Sequence, residues 1–228
     1  MKTSGLGQAL FVQGYDLSTD ASALDGAGYN QEMLEITGID KSATERVAGR
    51  LESTITVNGW FDNADDKAHE AYTVSNKLPT GDRVVTYQMG TAITEPSLFL
   101  NAKQANYDVT NSPGSALATT AMFSSTASVS GFDGVAFGVM LDAGATTYTS
   151  TTNGTTVDQS ASVSSLVAKI QHSSDGASWS DIITFSTISA NTPTAEILSM
   201  EGTVNRYVRV QYTLSGTNAK CQMSFHRK

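Results

Sequence analysis

The chain has 228 residues, of which 39% are hydrophobic and 16% charged, and carries a formal charge of −8. That is enough chain for one large β domain or two ordinary ones, and too apolar a composition for a disordered, highly charged tail. The acidic balance argues against a nucleic-acid grip built on counterion release from phosphates. The lone Cys221 rules out an intramolecular disulfide, and with His69, His172 and His226 it leaves too few ligands for the usual cysteine and histidine zinc site.

Ser, Thr, Ala and Gly take the place of charged residues, a bias that suits strands and turns. The opening MKTSGLGQALFVQG has no apolar run long enough for a signal peptide, and no later segment approaches the roughly eighteen apolar residues of a membrane span. The expectation is a soluble protein made in a cytoplasm, with no membrane partner.

The first clear element is LESTITVNGWF (51–61), in which Leu51, Ser53, Ile55 and Val57 alternate with Glu52, Thr54, Thr56 and Asn58, a period of two that predicts a half-buried strand. DNADDKAHEAYTV follows and predicts one short helix near 63–75. Asp62 or Asn63 is its cap, Asp65 and Asp66 lie at the positive end of its dipole, and Ala64, Ala68, Ala71 and Tyr72 form one face. LPTGD (78–82) is a turn into VVTYQM, and SLFLNAKQANYDV (97–109) reads as a long strand stopped by NSPGS. ALATTAMFSSTASV (117–129) reads as a strand, although a buried helix would use the same alanines.

Residues 144–163 are nearly all small and polar, with Asn153-Gly154 as a hairpin-type turn. They form a polar ribbon, a surface loop or a linker between a first unit, 1–143, and a C-terminal lobe, 164–228, unless the two are continuous. In that lobe Leu166, Ala168 and Ile170 alternate with Val167, Lys169 and Gln171, SSDG turns, and SWSDIITF returns as a hairpin. RYVRVQYTL (206–214) directs Val208, Val210, Tyr212 and Leu214 inward, and KCQMSFH adds Cys221, Met223 and Phe225, an antiparallel sandwich pattern.

The candidates for chemistry have plainer explanations. His172 and Asp175 sit close in sequence like two members of a triad, but Asp175-Gly176 is the turn of the hairpin and no Gly-x-Ser-x-Gly elbow is present. Asp62, Asp65 and Asp66 lack the glycine and distal glutamate of a calcium loop. GFDGVAFG (131–138) lacks the ending of a phosphate loop and reads as a bulge or tight bend. Asn153-Gly154-Thr155 is a glycosylation sequon that reads as a turn. Trp60 and Trp179 belong to a core or an interface before a sugar platform. The chain is expected to be no enzyme, with no catalytic residue, cofactor or metal.

The succession LESTITVNGWFD, short helix, SLFLNAKQANYDV and then IQHSSDGASWSDIITF with TVNRYVRVQYTLSGT resembles the major tail proteins that build the tail tube of long, non-contractile-tailed bacteriophages. The likeness spans most of the chain and is densest over 167–214. It implies a mainly β fold: an antiparallel β-sandwich or barrel of the tail-tube kind with one short helix, plus a C-terminal β-sandwich lobe. It implies a virion protein, made in the host cytoplasm, that self-assembles into rings, commonly hexameric, stacked into a tube for genome ejection. Its partners would be itself and the tape-measure, tail-tip and terminator proteins, with DNA passing through unbound. The family's inter-ring loop maps by position onto TGIDKSATERVAGR (37–50), whose Asp40, Lys41, Glu45, Arg46 and Arg50 would make inter-ring ion pairs. An acidic lumen would let DNA slide where a basic one would hold it. The competing expectation is a carbohydrate-binding or adhesin-type β-sandwich module using Trp179 and Tyr207.

Overall fold

The computed structural model describes residues 7–130, 132–142, 152–153, 163–189, 195–216 and 223–226. Among these the protein is mainly β: fifteen strands and one short helix, with every ladder antiparallel. The strands are β1 (Ala9–Val12), β2 (Tyr15–Asp16), β3 (Ala21–Asp25), β4 (Asn30–Glu35), β5 (Arg46–Glu52), β6 (Thr54–Trp60), β7 (Arg83–Gln88), β8 (Pro96–Thr110), β9 (Ala118–Ser125), β10 (Val135–Asp142), β11 (Thr152–Asn153), β12 (Val163–Ser173), β13 (Ser180–Thr184), β14 (Tyr207–Gly216) and β15 (Met223–Phe225); helix α1 is Ala68–Tyr72. A nine-stranded sheet runs β2-β1-β7-β8-β9-β6-β3, with β10 on β8 and β15 on β10. A four-stranded sheet runs β11-β14-β12-β13, and β4 pairs with β5 alone. Among the described residues no helix is long and apolar enough to cross a membrane.

The spine is β8, fifteen residues that serve three neighbours. Pro96–Leu100 lies between β7 and β10, while Ala102–Thr110 pairs with β9 past a bulge between Gln104 and Asn106. Alternation in this half-apolar run sends Leu98 and Leu100 into one face together with Val85 and Val135, the register partners of Leu100, and with Tyr87 and Phe137, those of Leu98. Ile55, Val57, Ala121 and Phe123 extend that face, and α1 lies on it through Ala68, Ala71 and Tyr72. Tyr72 packs against Phe123 and Tyr107 at centroid distances of 6.1 and 5.3 Å. Burying each such ring is worth about 1.5–3 kcal/mol relative to leaving it in water. A second cluster, with Leu166, Ile170, Val210 and Tyr212 of the smaller sheet, takes in Leu141, Met223 and Phe225 and so ties the two sheets together.

Several expectations change in detail. The run 51–61 is two strands, because the chain leaves the β4–β5 ribbon and enters the large sheet at Ser53, which is fully buried and exchanges backbone and hydroxyl hydrogen bonds with Ser125. The helix is five residues long where 63–75 was expected. Asp62 Oδ1 accepts from Ala64 N in a turn, Asp66 has a positive φ of 62°, and Ala64 is exposed outside the helix. The N-cap position falls on Lys67 with no side-chain cap of its own. Instead Asp20 Oδ2, buried and far back in the chain, accepts from Ala68 N at 3.2 Å. The hairpin in the C-terminal part forms as β12 and β13, with Gly176 in the left-handed region at φ 75°. Met223–Phe225 does not join the smaller sheet; it pairs with β10 of the larger one. Gly154, Cys221 and the sequon residue Thr155 lie outside the described residues.

Candidate assembly surface

Strands β4 and β5 form a ribbon that departs from the large sheet. All six β4 residues are exposed, as are most of β5. Strand pairing sets Leu34 opposite Val47, and Ile36, whose N–H donates to Glu45 O, continues the same face. These side chains are about half exposed, and Ile39 in the connection is fully so at 109%. Large aliphatic groups collected on one exposed ribbon mark an interaction surface, since scattered exposure would be ordinary and contiguous exposure is not. The ribbon is fixed at its root: Phe137 N donates to Tyr29 Oη at 2.7 Å and the two rings pack at 5.0 Å.

The five charged residues named from sequence all lie on this ribbon, but in two settings. Asp40, Lys41 and Glu45 are in the connection, and Arg46 and Arg50 are in β5. Lys41 and Glu45 pair with each other at 3.3 Å, so part of the charge is met within the chain. Among the described residues Asp40, Arg46 and Arg50 make no ion pair. The apolar residues beside them went unread in the sequence, where a bulge between Gln31 and Met33 blurs the alternation.

Other parts of the surface are unfinished in a different way. Among the described residues β3 pairs only with β6, and β13 pairs only with β12 along its length, so each presents one row of free backbone donors and acceptors.

The remaining candidates resolve into local structure. Asp175 Oδ1 accepts from Ala177 N, Ser178 N and Ser173 Oγ, and these bonds hold its carboxyl at about 2. His172 Nδ1, meanwhile, accepts from Asn205 N, so the two side chains are spent on separate turns. Trp179 is half-buried with the Arg209 guanidinium over its ring at 4.2 Å, which occupies one face of the indole. Arg209 continues through Gln171 to Asp181, whose carboxyl is held down by Gln171 and then Lys169. Trp60 is 49% exposed, outside the core. Gly138 of the glycine-rich run sits where a Cβ would lie 2.4 Å from Phe225 O, a close approach of two strands. Among the described residues no three His, Cys, Asp or Glu side chains converge.

The chain matches no family model and no curated protein. Among solved structures it is similar to the tube-terminating cap of the anti-feeding prophage, with 10% identity over 61% of this chain and 92% of that one and a TM-score of 0.44. It is similar to a chain of the virion of a native gene transfer agent particle, with 12% identity over 60% of this chain and 98% of that one and a TM-score of 0.43. The SPP1 Dit protein, described as a paradigm of the hub adsorption apparatus of phages infecting Gram-positive bacteria, aligns over 92% of this chain and 96% of that one at 12% identity, with a TM-score of 0.37. All three are distant likenesses.

Proposed function

We propose that this chain is a structural virion protein of a phage tail, one that acts by self-association: copies close into rings, commonly hexamers, and the rings stack into a tube through which the genome leaves. The observation that carries the reading is the β4–β5 ribbon, which leaves Leu34, Ile36, Ile39 and Val47 between 45% and 109% exposed. Open strand edges at β3 and β13 support it, because such edges are completed by backbone from another copy. The order of sequence segments, resembling major tail proteins, supports it as well.

In this reading the larger sheet is the tube wall and the smaller sheet lies outside it. Arg46, Arg50 and Asp40 make the inter-ring ion pairs, and the Lys41–Glu45 pair opens when a neighbour arrives. The net charge of −8 gives DNA no wall to adhere to. Tape-measure, tail-tip and terminator proteins are the further partners. The test is negative-stain microscopy of concentrated protein with and without a tail-tip initiator. Rings or striated tubes are expected; a persistent monomer under both conditions overturns the reading.

A further inference from the structure

The smaller sheet turns one face to the larger sheet, across a gap of about 860 Å³, and the other face away from it. In β14 the inward residues are Val208, Val210 and Tyr212, so Tyr207, Arg209 and Gln211 point outward. Register sets Ser173, Gln171 and Lys169 of β12 beside these three, and Asp181 of β13 beside Gln171. Arg209, in the middle of this outward face, is held in place by neutral groups. Its Nε donates to Gln171 Oε1 at 2.9 Å, and its guanidinium lies over the Trp179 ring at 4.2 Å. Gln171 is itself only 7% exposed, and its Nε2 donates to Asp181 Oδ1 and to Gln211 Oε1. A second guanidinium, that of Arg206, stands 5.3 Å from the centre of the Tyr207 ring at the same end of the sheet.

Among the described residues neither arginine makes an ion pair. The acidic side chains of the adjoining hairpin are already committed. Asp181 is taken by Lys169 at 2.6 Å and by Gln171, and Asp175 by the N–H groups of Ala177 and Ser178 and by Ser173 Oγ. Arg209 spends Nε on Gln171 and keeps the outer edge of its fork, the two Nη groups that grip a carboxylate or phosphate through parallel hydrogen bonds. An arginine that merely covers an indole needs no buried glutamine to set its plane. Setting the plane in advance removes rotamer entropy that binding would otherwise have to overcome. The local charge agrees: residues 164–228 hold six Lys and Arg against four Asp and Glu, a net basic stretch in a chain of charge −8. Repulsion from the acidic remainder is screened beyond about 8 Å in physiological salt.

We infer that the outward face of the smaller sheet is a binding site for an acidic glycan, with the carboxylate or phosphate of a sugar unit on Arg209 and Arg206 and its hydroxyls on Gln211 and Tyr207. The apolar side chains of this sheet gather on the inner face, and around Arg209 the outward face offers amides, hydroxyls and guanidinium groups. That chemistry matches a hydroxyl-rich ligand better than a peptide with apolar anchors. A nucleic acid brings a charge at every unit and is held by neutralising many of them together, whereas two unpaired cations match a chain whose charges are spaced among hydroxyls. Tyr207 is 39% exposed, and its ring rests on the hairpin turn at Gly176, where a Cβ would stand 3.8 Å from it. The turn thus props the ring that meets the sugar. This inference is independent of the self-association reading, and either can fail without the other.

Titration calorimetry of the full chain tests it with two probes, oligogalacturonate and a phosphorylated oligomannose. Each is run beside its neutral counterpart, the methyl ester of the first and the dephosphorylated form of the second. At least one acidic probe should bind with a Kd below about 1 mM while its neutral counterpart does not. Because Arg209 lies on Trp179, the same titration should shift tryptophan emission. Arg209→Leu keeps a cover over the indole and removes the charge, and should weaken binding about tenfold or more with an unchanged circular dichroism spectrum. Arg209→Lys keeps the charge without the fork and should fall between the two. If Arg209 only covers Trp179, Arg209→Leu binds as the unmodified protein does, and the inference is overturned. Failure of both acidic probes to bind overturns it, as does equal binding of a neutral counterpart. An oligothymidylate of matched charge that binds as tightly makes the face a general polyanion contact and overturns it too. Should Arg209→Leu not fold, Arg206→Gln, at an exposed position, decides by the same tenfold criterion.

Discussion

Gly138→Ala is a small change with a large expected cost. A Cβ at this position would stand 2.4 Å from Phe225 O and 2.8 Å from Phe99 Cε1, and real Cβ contacts essentially never fall below 3.0 Å. The Phe99 ring can tilt; the Phe225 carbonyl is backbone in the β10–β15 ladder, so relief requires the strands to part. Forcing a methyl into a full site costs about 1–3 kcal/mol. Against this, alanine recovers about 0.4–1 kcal/mol through the lower entropy of its unfolded chain. The net expectation is about 1–2 kcal/mol of destabilisation, most of it local, with Met223 and Phe225 losing their cover. Urea unfolding followed by far-UV circular dichroism should show a lower midpoint, and hydrogen exchange should speed up at Val139 and Ser224 ahead of the β6–β9 ladder. A variant with the midpoint and exchange of the unmodified protein would refute the close approach and with it the place of β15 in the large sheet.

Asp20→Ala removes the one side chain that receives Ala68 N, and loss of a cap of this kind costs about 0.5–2 kcal/mol, measured as a drop in thermal midpoint; Asp62→Ala should cost less, since Asp62 serves a turn outside the helix. The Asp175 carboxyl is held at about 2 by Ser178 N, Ala177 N and Ser173 Oγ, below the ordinary value of about 3.9. Its contribution is therefore complete above pH 5 and fades as the pH falls through 4 towards 2. The stability difference between the unmodified protein and Asp175→Ala should shrink over that window, and a difference that is constant from pH 7 to 2 would contradict the assignment. Arg46→Glu with Arg50→Glu should block tube growth with an unchanged circular dichroism spectrum; normal tubes would remove both residues from the contact.

What the sequence reveals of this fold follows from how local each cause is. The β12–β13 hairpin is legible because two alternating runs flank an Asp-Gly turn, and everything that determines it lies within twenty residues. The long strand β8 is legible from its alternation, but its bulge at Gln104–Asn106 and its division among three partners depend on distant residues. The helix was expected to be too long because Asp62, Asp65 and Asp66 imitate caps, while the carboxylate that serves it belongs to Asp20. In the ribbon the charges were visible and the aliphatic residues were not. Four of the latter sit in a short stretch with no clean period, and only the departure of the strand pair from the sheet exposes them. The gap between the two sheets has no sequence signature at all, since residues from eight separate strands line it.

The return of β15 to β10 sets an order of events during synthesis. Chains emerge from the ribosome N-terminus first, and β10 finishes long before Met223–Phe225 appears. Until then the outer border of β10 is bare and the floor of the inter-sheet gap lacks Met223 and Phe225. A chain made only as far as β14 therefore lacks the outer partner of β10 and two side chains of the cluster that joins the two sheets. Ribosome-arrested chains halted before residue 223 should accordingly show faster hydrogen exchange along β10 than chains that include Met223–Phe225.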